Sequence, residues 1–510
     1  MRWLARISAL AWLATGCGSP AAPGTTIINV RIVDGTGAPA RTGGVRIVAD
    51  TITAVGDVTP SRGDSIVDGH GLVLAPGFID THSHQDFGLT RTPDATAAVS
   101  QGITTIIAGN DGGHPYPLAR AFDSLAASGH AVNVGFYAGH GSLRSVVMGT
   151  DFRRRATPAE VDSMGVLLRS ELAAGALGLS TGLEYDPGIY ADRAEVMALA
   201  KVTAAAGGRY ISHIRSEDRT FWDAIDEILT IGREARLPVQ ISHVKLAMIS
   251  LWGQADSLRH RLDAARAQGI DVTADIYPYT YWHSTLQVLF PNRDFNNRAE
   301  AGKILREIVP AEGLLIGVFA AHPAYAGRTV AEIAGLRHED PASTLMGLIR
   351  ESQAFKAQMA DHAMPSAVES VVATAMDEGD VRTLLGWEHA NICSDGELNG
   401  AHPRGFGAFP RVLGRYVRET GVLTLEAAVH KMTALAATHV GVTRRGRIAA
   451  GQYADLVLFD PATVTDQATP AEPHRLSIGI VEVWVNGIPV WRDGRTTGNH
   501  PGRIVRRTGR

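Results

Sequence analysis

Five side chains stand out by type and by place. His82 and His84 close the apolar run GFIDTHSH (77–84). Residues two apart on a strand share a face, so both imidazoles can converge on one metal ion. His213 ends YISH and His243 ends VQISH, 30 residues apart. That interval is one strand–helix unit, which sets both at the same height on neighbouring strands. Asp395 ends ANICSD. Imidazoles and a carboxylate at the carboxyl ends of strands suit a divalent metal that activates water for hydrolysis. Any one of these histidines alone reads as a core or surface residue. The coincidence of all five with strand ends carries the metal reading.

The elements that must position them alternate. Candidate strands are 78–84, 103–109, 132–138, 176–181, 209–213, 239–243, 271–277 and 390–394, with helices between them. This pattern predicts an α/β fold, a (β/α)8 TIM-like barrel over 76–441. Thr157-Pro158-Ala159-Glu160 is a capping box with proline in the first turn, and Asp192 with Glu195 is a similar helix start. The stretch 284–389 is too long for one crossover and is expected to hold a mostly helical insertion. Short strand-like runs fill 26–75, and the far end, 442–510, carries ADLVLFD and a hairpin signal at Asn486-Gly487. Together they predict a small β-sandwich built from both chain ends.

The chain has 510 residues, 45% hydrophobic and 20% charged, which excludes a disordered chain or a coiled coil. A net charge of -4 argues against nucleic acid as a partner, and two cysteines exclude a disulfide scaffold. Residues 1–17 read as a lipoprotein-type signal: Arg2 and Arg6, an apolar run over Ile7–Ala14, small residues, then Cys17. Export to a bacterial cell envelope is the expectation, periplasmic or anchored by a lipid on Cys17, with no other membrane contact. Cys393 reads as a small buried residue.

Longer motifs carry a resemblance. GFIDTHSHQD (77–86), QGITTIIAGN (101–110), GLSTGLEYDPGIYA (178–191), YISHIRSE (210–217), ISHVKLAMISLWG (241–253), DIYPYT (275–280), SDGELNGAHPRGFGAFPRVLG (394–414), MTALAATHVG (432–441) and GQYADLVLFDP (451–461) span nearly the whole chain after residue 25. The sequence resembles the amidohydrolase superfamily, and more closely its D-aminoacylase (N-acyl-D-amino-acid deacylase) family. The resemblance implies one metal position at His82 and His84 and another at His213 and His243. It makes Asp395 the general acid/base. Many relatives bridge two metals with a carboxylated lysine on the fourth strand, but here that strand ends in Ser180-Thr181-Gly182. The D-aminoacylase family uses a cysteine after the second strand, and this chain has Asp111 there, in Gly109-Asn110-Asp111-Gly112. Asp111 is a harder ligand than sulfur, so zinc, as one or two ions, competes with manganese, cobalt or iron.

The same resemblance implies that Arg404, Lys245 and Tyr277 hold a substrate α-carboxylate, with Tyr279 an equal candidate by spacing. Tyr190 and Ser180 would line the acyl side, and Arg215 would face the mouth or pair with Glu217. His114, His140, His283 and His402 would support the site through hydrogen bonds, and Trp252 and Trp282 would pack near it. The implied activity is metal-dependent hydrolysis of linear amides, with a small-molecule partner, an N-acyl-D-amino acid or a dipeptide ending in a D-residue. The alternatives are a cyclic-amide hydrolase or deaminase with the same machinery, or a metal-dependent binding protein without turnover.

Overall fold

A computed structural model of the protein describes residues 22–359 and 367–507. The predicted signal and Cys17 lie outside the described residues. The predicted strands form, mostly shorter than expected. Phe78–Asp80, Ile103–Ala108 and Asn133–Phe136 pair in parallel, in that order. Ala138–Gly139, Gly178–Gly182, Arg209–His213, Val239–Ile241, Val272–Ile276 and Ala390–Ile392 form a second parallel run. The two runs touch at both ends. Tyr137 is all that separates Phe136 from Ala138, and Ser83 bridges Gly396 in parallel. A parallel strand covered by helices on one side and facing other strands on the other must be apolar throughout. The fully buried ITTIIA and GLSTG runs meet that demand, their few hydroxyls bonded internally.

The helices start where the sequence marks them. Thr157 and Glu160 form a reciprocal capping box with Pro158 in the first turn, and Asp192 caps its helix by accepting from the Glu195 N–H. The chain ends meet in one nine-stranded sheet. Thr25–Ile32, Arg41–Val48, Thr51–Gly56, Ser65–Asp68 and Val73–Pro76 join Leu456–Phe459, Ile480–Val485, Ile488–Arg492 and Arg495–Thr496. Asn486 (φ 49) and Gly487 (φ 80) turn the hairpin between Val485 and Ile488, both in the left-handed region that the tight turn requires.

Among its described residues the insertion holds four α-helices, at Arg298–Glu307, Val330–Arg337, Pro341–Gln358 and Glu378–Gly386, and also strands Leu314–Phe319 and Glu369–Thr374, which form an antiparallel sheet with Tyr281–Ser284. Those strands are short and interrupted by helices, so no continuous alternation signals them. Glu369 is buried in this sheet, where both its oxygens accept from the Leu286 N–H (3.2 and 3.0 Å). Burial pushes its pKa up to about 7 against the pull of that N–H. The folded state therefore binds more protons than the unfolded state between about pH 4.5 and 7, and stability falls as pH rises through that window. Glu369→Gln keeps an acceptor for Leu286 and has no charge to bury. Its melting temperature should exceed that of the parent at pH 8, by an effect of roughly 3 kcal/mol at most, and the gain should vanish near pH 4. Calorimetry at both pH values checks this; an equal shift at both would contradict it.

Candidate metal centre

The chemistry-bearing side chains meet just beyond the strand ends. His82 and His84 follow Phe78–Asp80, with His82 completely buried. His82 Nε2 lies 3.4 Å from Asp111 Oδ2 and 3.6 Å from Asp395 Oδ1. His84 Nε2 lies 3.3 Å from each of the same two oxygens. The other oxygen of Asp111, Oδ1, is 3.4 Å from His243 Nε2, and that nitrogen is 3.2 Å from His213 Nδ1. Two sets of ligand-type atoms result, His82–His84–Asp111–Asp395 and Asp111–His213–His243, sharing Asp111. A third set, Glu184–His213–Glu217, adjoins them.

Local backbone makes this convergence. Asp111 (φ 52), His243 (φ 34) and Asp395 (φ 50) all take left-handed conformations, so each turns back toward the strand mouth rather than continuing outward. For a β-carbon residue this conformation is costly, and the surrounding bonds fix it. Asp395 N–H donates to the His82 carbonyl (2.8 Å), and His243 N–H donates to Asp275 Oδ1 (2.5 Å). The Asp111 loop is seated against the fourth long strand. A Cβ at Gly182 would stand 2.3 Å from the Asp111 carbonyl oxygen, so that strand end must be glycine and has no room for a lysine. Ser180 is part of the same seat: its hydroxyl donates to the Gly109 carbonyl and accepts from the Gly112 N–H (3.3 Å), so it holds the loop rather than facing a substrate.

Whether these residues fit a cation is tested by their unsatisfied atoms. Both ring nitrogens of His82 and the Oδ1 of Asp111 are buried without a hydrogen-bond partner. Each such atom costs about 1–3 kcal/mol unless something pairs with it. The electrostatics point the same way. Burial opposes charge on Asp111 and Asp395, but His82 and His243 hold the first, and Arg404 the second, well below the usual carboxylate range. Burial and Lys245 oppose charge on His243, yet Glu217 and Asp111 push its pKa up to about 10. Two buried carboxylates demand positive charge here, and imidazole nitrogens with carboxylate oxygens are the donor set of zinc and its first-row neighbours.

A cavity opens onto these groups, lined by His213, His243 and Asp395 on one side. Lys245, Tyr277 and Arg404 line it too. Lys245 Nζ donates to Glu217 Oε1 (2.6 Å), and Arg404 Nη1 pairs with Asp395 Oδ2 (2.6 Å). Arg404 also lies 4.8 Å from the centre of the Tyr277 ring. Tyr277 and Tyr279, equivalent by spacing, separate here. Tyr279 packs under Arg411 and reaches toward Asp466, away from the cavity.

Three further expectations are corrected. Tyr190 packs on Phe152 with ring centres 6.0 Å apart and is not among the cavity-lining residues; Tyr185 of the same motif is. Arg215 neither faces the mouth nor pairs with Glu217, but binds Glu227 through two bonds (2.7 and 2.8 Å). Trp252 is partly exposed and donates to the Ala375 carbonyl, whereas Trp282 lines the cavity. Three of the four histidines expected to hydrogen-bond near the site do so, and among the described residues His283 does not. His114 accepts from the Gly139 N–H, His140 bonds Glu195, and His402 accepts from the Arg404 N–H (2.9 Å) while facing the Tyr281 carbonyl. His283 lines the cavity. Cys393 is fully buried.

Sequence reasoning passed over Glu184 and Asp275. Glu184 Oε2 lies 2.9 Å from His213 Nε2, and Asp275 Oδ1 is 3.8 Å from His82 Nδ1. Glu184 orients the His213 ring, whereas Asp275 holds the His243 backbone N–H and stands beside His82 without a hydrogen bond; neither role leaves a spacing pattern in the chain.

Known proteins match along nearly the whole length. The amidohydrolase family model matches residues 65–491. The N-acyl-D-glutamate deacylase of Alcaligenes xylosoxydans xylosoxydans is 38% identical over 93% of this chain and 95% of its own length. The D-aminoacylase of the same organism is 35% identical over 94% and 96%. Among solved structures, the N-acyl-D-glutamate deacylase of Bordetella bronchiseptica, complexed with zinc and a phosphonate mimic of the tetrahedral intermediate, superposes with a TM-score of 0.83. It is 34% identical, and the match covers 95% of this chain and 100% of that one.

Proposed function

The chain belongs to the amidohydrolase family, and from that premise we propose that it hydrolyses the amide bond of N-acyl-D-amino acids, or of dipeptides ending in a D-residue. The observation that carries this reading is one cavity onto which both the His–Asp cluster and the Arg404–Lys245 pair open. A neutral cyclic amide or a heterocycle has no carboxylate for such a pair to hold.

We assign the divalent cation, zinc as one or two ions, to His82, His84, Asp111 and Asp395 and to Asp111, His213 and His243. Bound there, it would polarise the scissile carbonyl and lower the pKa of water toward about 7. The chain's own residues do the rest. Arg404 spends one nitrogen on Asp395, and its fork keeps further N–H donors for the substrate α-carboxylate, with Lys245 beside it. Tyr277, stacked under Arg404, supplies a phenol hydroxyl to the same group. Asp395 takes a proton from the attacking water and returns it to the leaving nitrogen, which departs only when protonated. Burial around His82 and Asp395 limits competing water.

In this reading the fold is a closed (β/α)8 barrel over 76–441 with the insertion 284–389, carrying a β-sandwich built from 26–75 and 442–510. Export to the cell envelope, with Cys17 as a lipid anchor, is part of the same proposal and rests on residues 1–17 alone. The test is a chiral assay. The full chain, loaded with zinc, is offered mixed N-acetyl-D- and N-acetyl-L-amino acids, and the freed amino acids are separated by chiral chromatography. Release of D-products alone is expected. Release of L-products, or none with metal bound, contradicts the reading.

A further inference from the structure

We propose that the side-chain pocket of this chain admits an uncharged, apolar D-side chain and excludes a carboxylate, so that it does not share the acidic substrate named for its glutamate-deacylase relatives. The inference rests on the deacylase reading. An N-acyl amino acid offers three limbs from its α-carbon. The acyl amide goes to the His–Asp cluster and the α-carboxylate to Arg404 and Lys245. The side chain must take whatever wall remains.

That wall is of two kinds. Trp282, Val288, Leu289 and Ile308 form an apolar part, and Glu184 and Asp218 an acidic part. Among the described residues lining the cavity, Lys245 and Arg404 are the only lysine and arginine, and both are committed to the α-carboxylate end. Arg153, Arg293 and Lys356 line a neighbouring cavity that shares Tyr185, Ser284 and Val288 with this one, and none of the three is among the residues lining this cavity itself. Arg293 binds Asp186 and the carbonyls of Gln287, Phe290 and Glu184, which pins the Val288–Leu289 turn in place. Arg219 donates to Glu300 (2.5 Å). The remaining basic ring is His283. Burial and Arg404 hold it below the ordinary histidine range despite Glu397, so it meets a side chain as a neutral ring. Glu184 cannot turn away, since its two oxygens are held by the Glu217 N–H (2.9 Å) and by His213.

A side-chain carboxylate placed here would lose its water without gaining a partner, and would face two acids. Such desolvation is costly by several kcal/mol, whereas an isobutyl or thioether side chain gains from the same apolar surface. An apolar pocket rejects an added hydroxyl by only about 100-fold, and a charged carboxylate, which is costlier to desolvate, at least as strongly.

The experiment compares kcat/KM of the metal-loaded full chain for the N-acetyl derivatives of D-leucine, D-methionine, D-phenylalanine, D-glutamate, D-aspartate and D-lysine. The expected result is a lead of about 100-fold or more for the apolar set over D-glutamate and D-aspartate. Val288→Arg, at a half-buried position, should raise the D-glutamate to D-leucine ratio at least about tenfold by supplying the missing cation. D-glutamate or D-aspartate within about tenfold of the best apolar substrate would overturn the inference, as would a lead for D-lysine. Should Val288→Arg fail to fold, the parent panel still decides. No D-product from any member, with metal bound, would overturn the deacylase reading itself and this inference with it.

Discussion

Replacing Asp395 by asparagine should lower kcat by about 10²–10⁴-fold while leaving the α-carboxylate clamp, and hence KM, nearly unchanged. The size of the effect follows from what is kept and what is lost. Asparagine preserves the shape, and an amide oxygen can still face Arg404, which now approaches Oδ2 at 2.6 Å. The backbone turn also survives, since asparagine tolerates the left-handed conformation (φ 50) that Asp395 adopts. The neighbouring scaffold is independent of the side chain: Ser394 is held by Asp80 through its N–H (2.8 Å) and its hydroxyl, and Asp395 N–H by the His82 carbonyl. The proton acceptor is removed together with one negative charge, while an amide oxygen remains to face the cation and Arg404. Elemental analysis of the variant decides the interpretation. Metal retained with turnover lost is the expected pair. Turnover above about a tenth of the parent would move the acid/base role to another carboxylate, and loss of metal would make Asp395 chiefly a holding residue.

How much of this was legible without coordinates depends on the physical kind of signal. His82, His84, His213, His243 and Asp395 were legible because strand periodicity and one strand–helix repeat act through short, regular spacing. The strands proved shorter than their apolar runs. His82 and His84, His243 and Asp395 lie past the last residue of their strands, and His243 and Asp395 take a left-handed backbone that no hydropathy pattern reveals. Tyr277 and Tyr279 were indistinguishable by spacing because two residues apart on one strand direction share a face; the turn at Pro278 and the partners Arg411 and Asp466 separate them. Tyr190 was misplaced and Tyr185 missed, since GLEYDPGIY winds through a turn with no regular period. Glu184 and Glu217 act through rings they touch, and Asp275 through the His243 backbone N–H, rather than through their place in a motif. The antiparallel sheet in the insertion depends on pairing between distant segments, Tyr281–Ser284 with Glu369–Thr374, which a single chain does not announce.

The largest effect on metal binding is expected at Asp111. Its two oxygens are divided: Oδ2 faces His82 and His84 at 3.4 and 3.3 Å, and Oδ1 faces His243 at 3.4 Å. A residue that serves both ligand sets cannot be replaced from one side alone. Asp111→Asn halves that capacity, because an amide has one acceptor oxygen and no charge. It also leaves the four histidines without the carboxylate that neutralises them. Affinity for divalent cation should fall by at least about 10–100-fold, the scale seen when even an outer partner of a metal ligand is lost, and turnover should fall with it. Asp111→Cys tests the chemistry of the donor rather than its presence. Thiolate is softer than carboxylate, so the cysteine variant should shift uptake toward zinc, and the parent should take a larger share of manganese from an equimolar mixture. Dialysis against that mixture followed by elemental analysis reads the ratio without reference to activity. Equal ratios in parent and cysteine variant, with metal content unchanged in Asp111→Asn, would remove Asp111 from the ligand set. The cluster would then retain only His82, His84 and Asp395 on one side and His213 and His243 on the other, and the division of Asp111 between them would be a property of the turn alone.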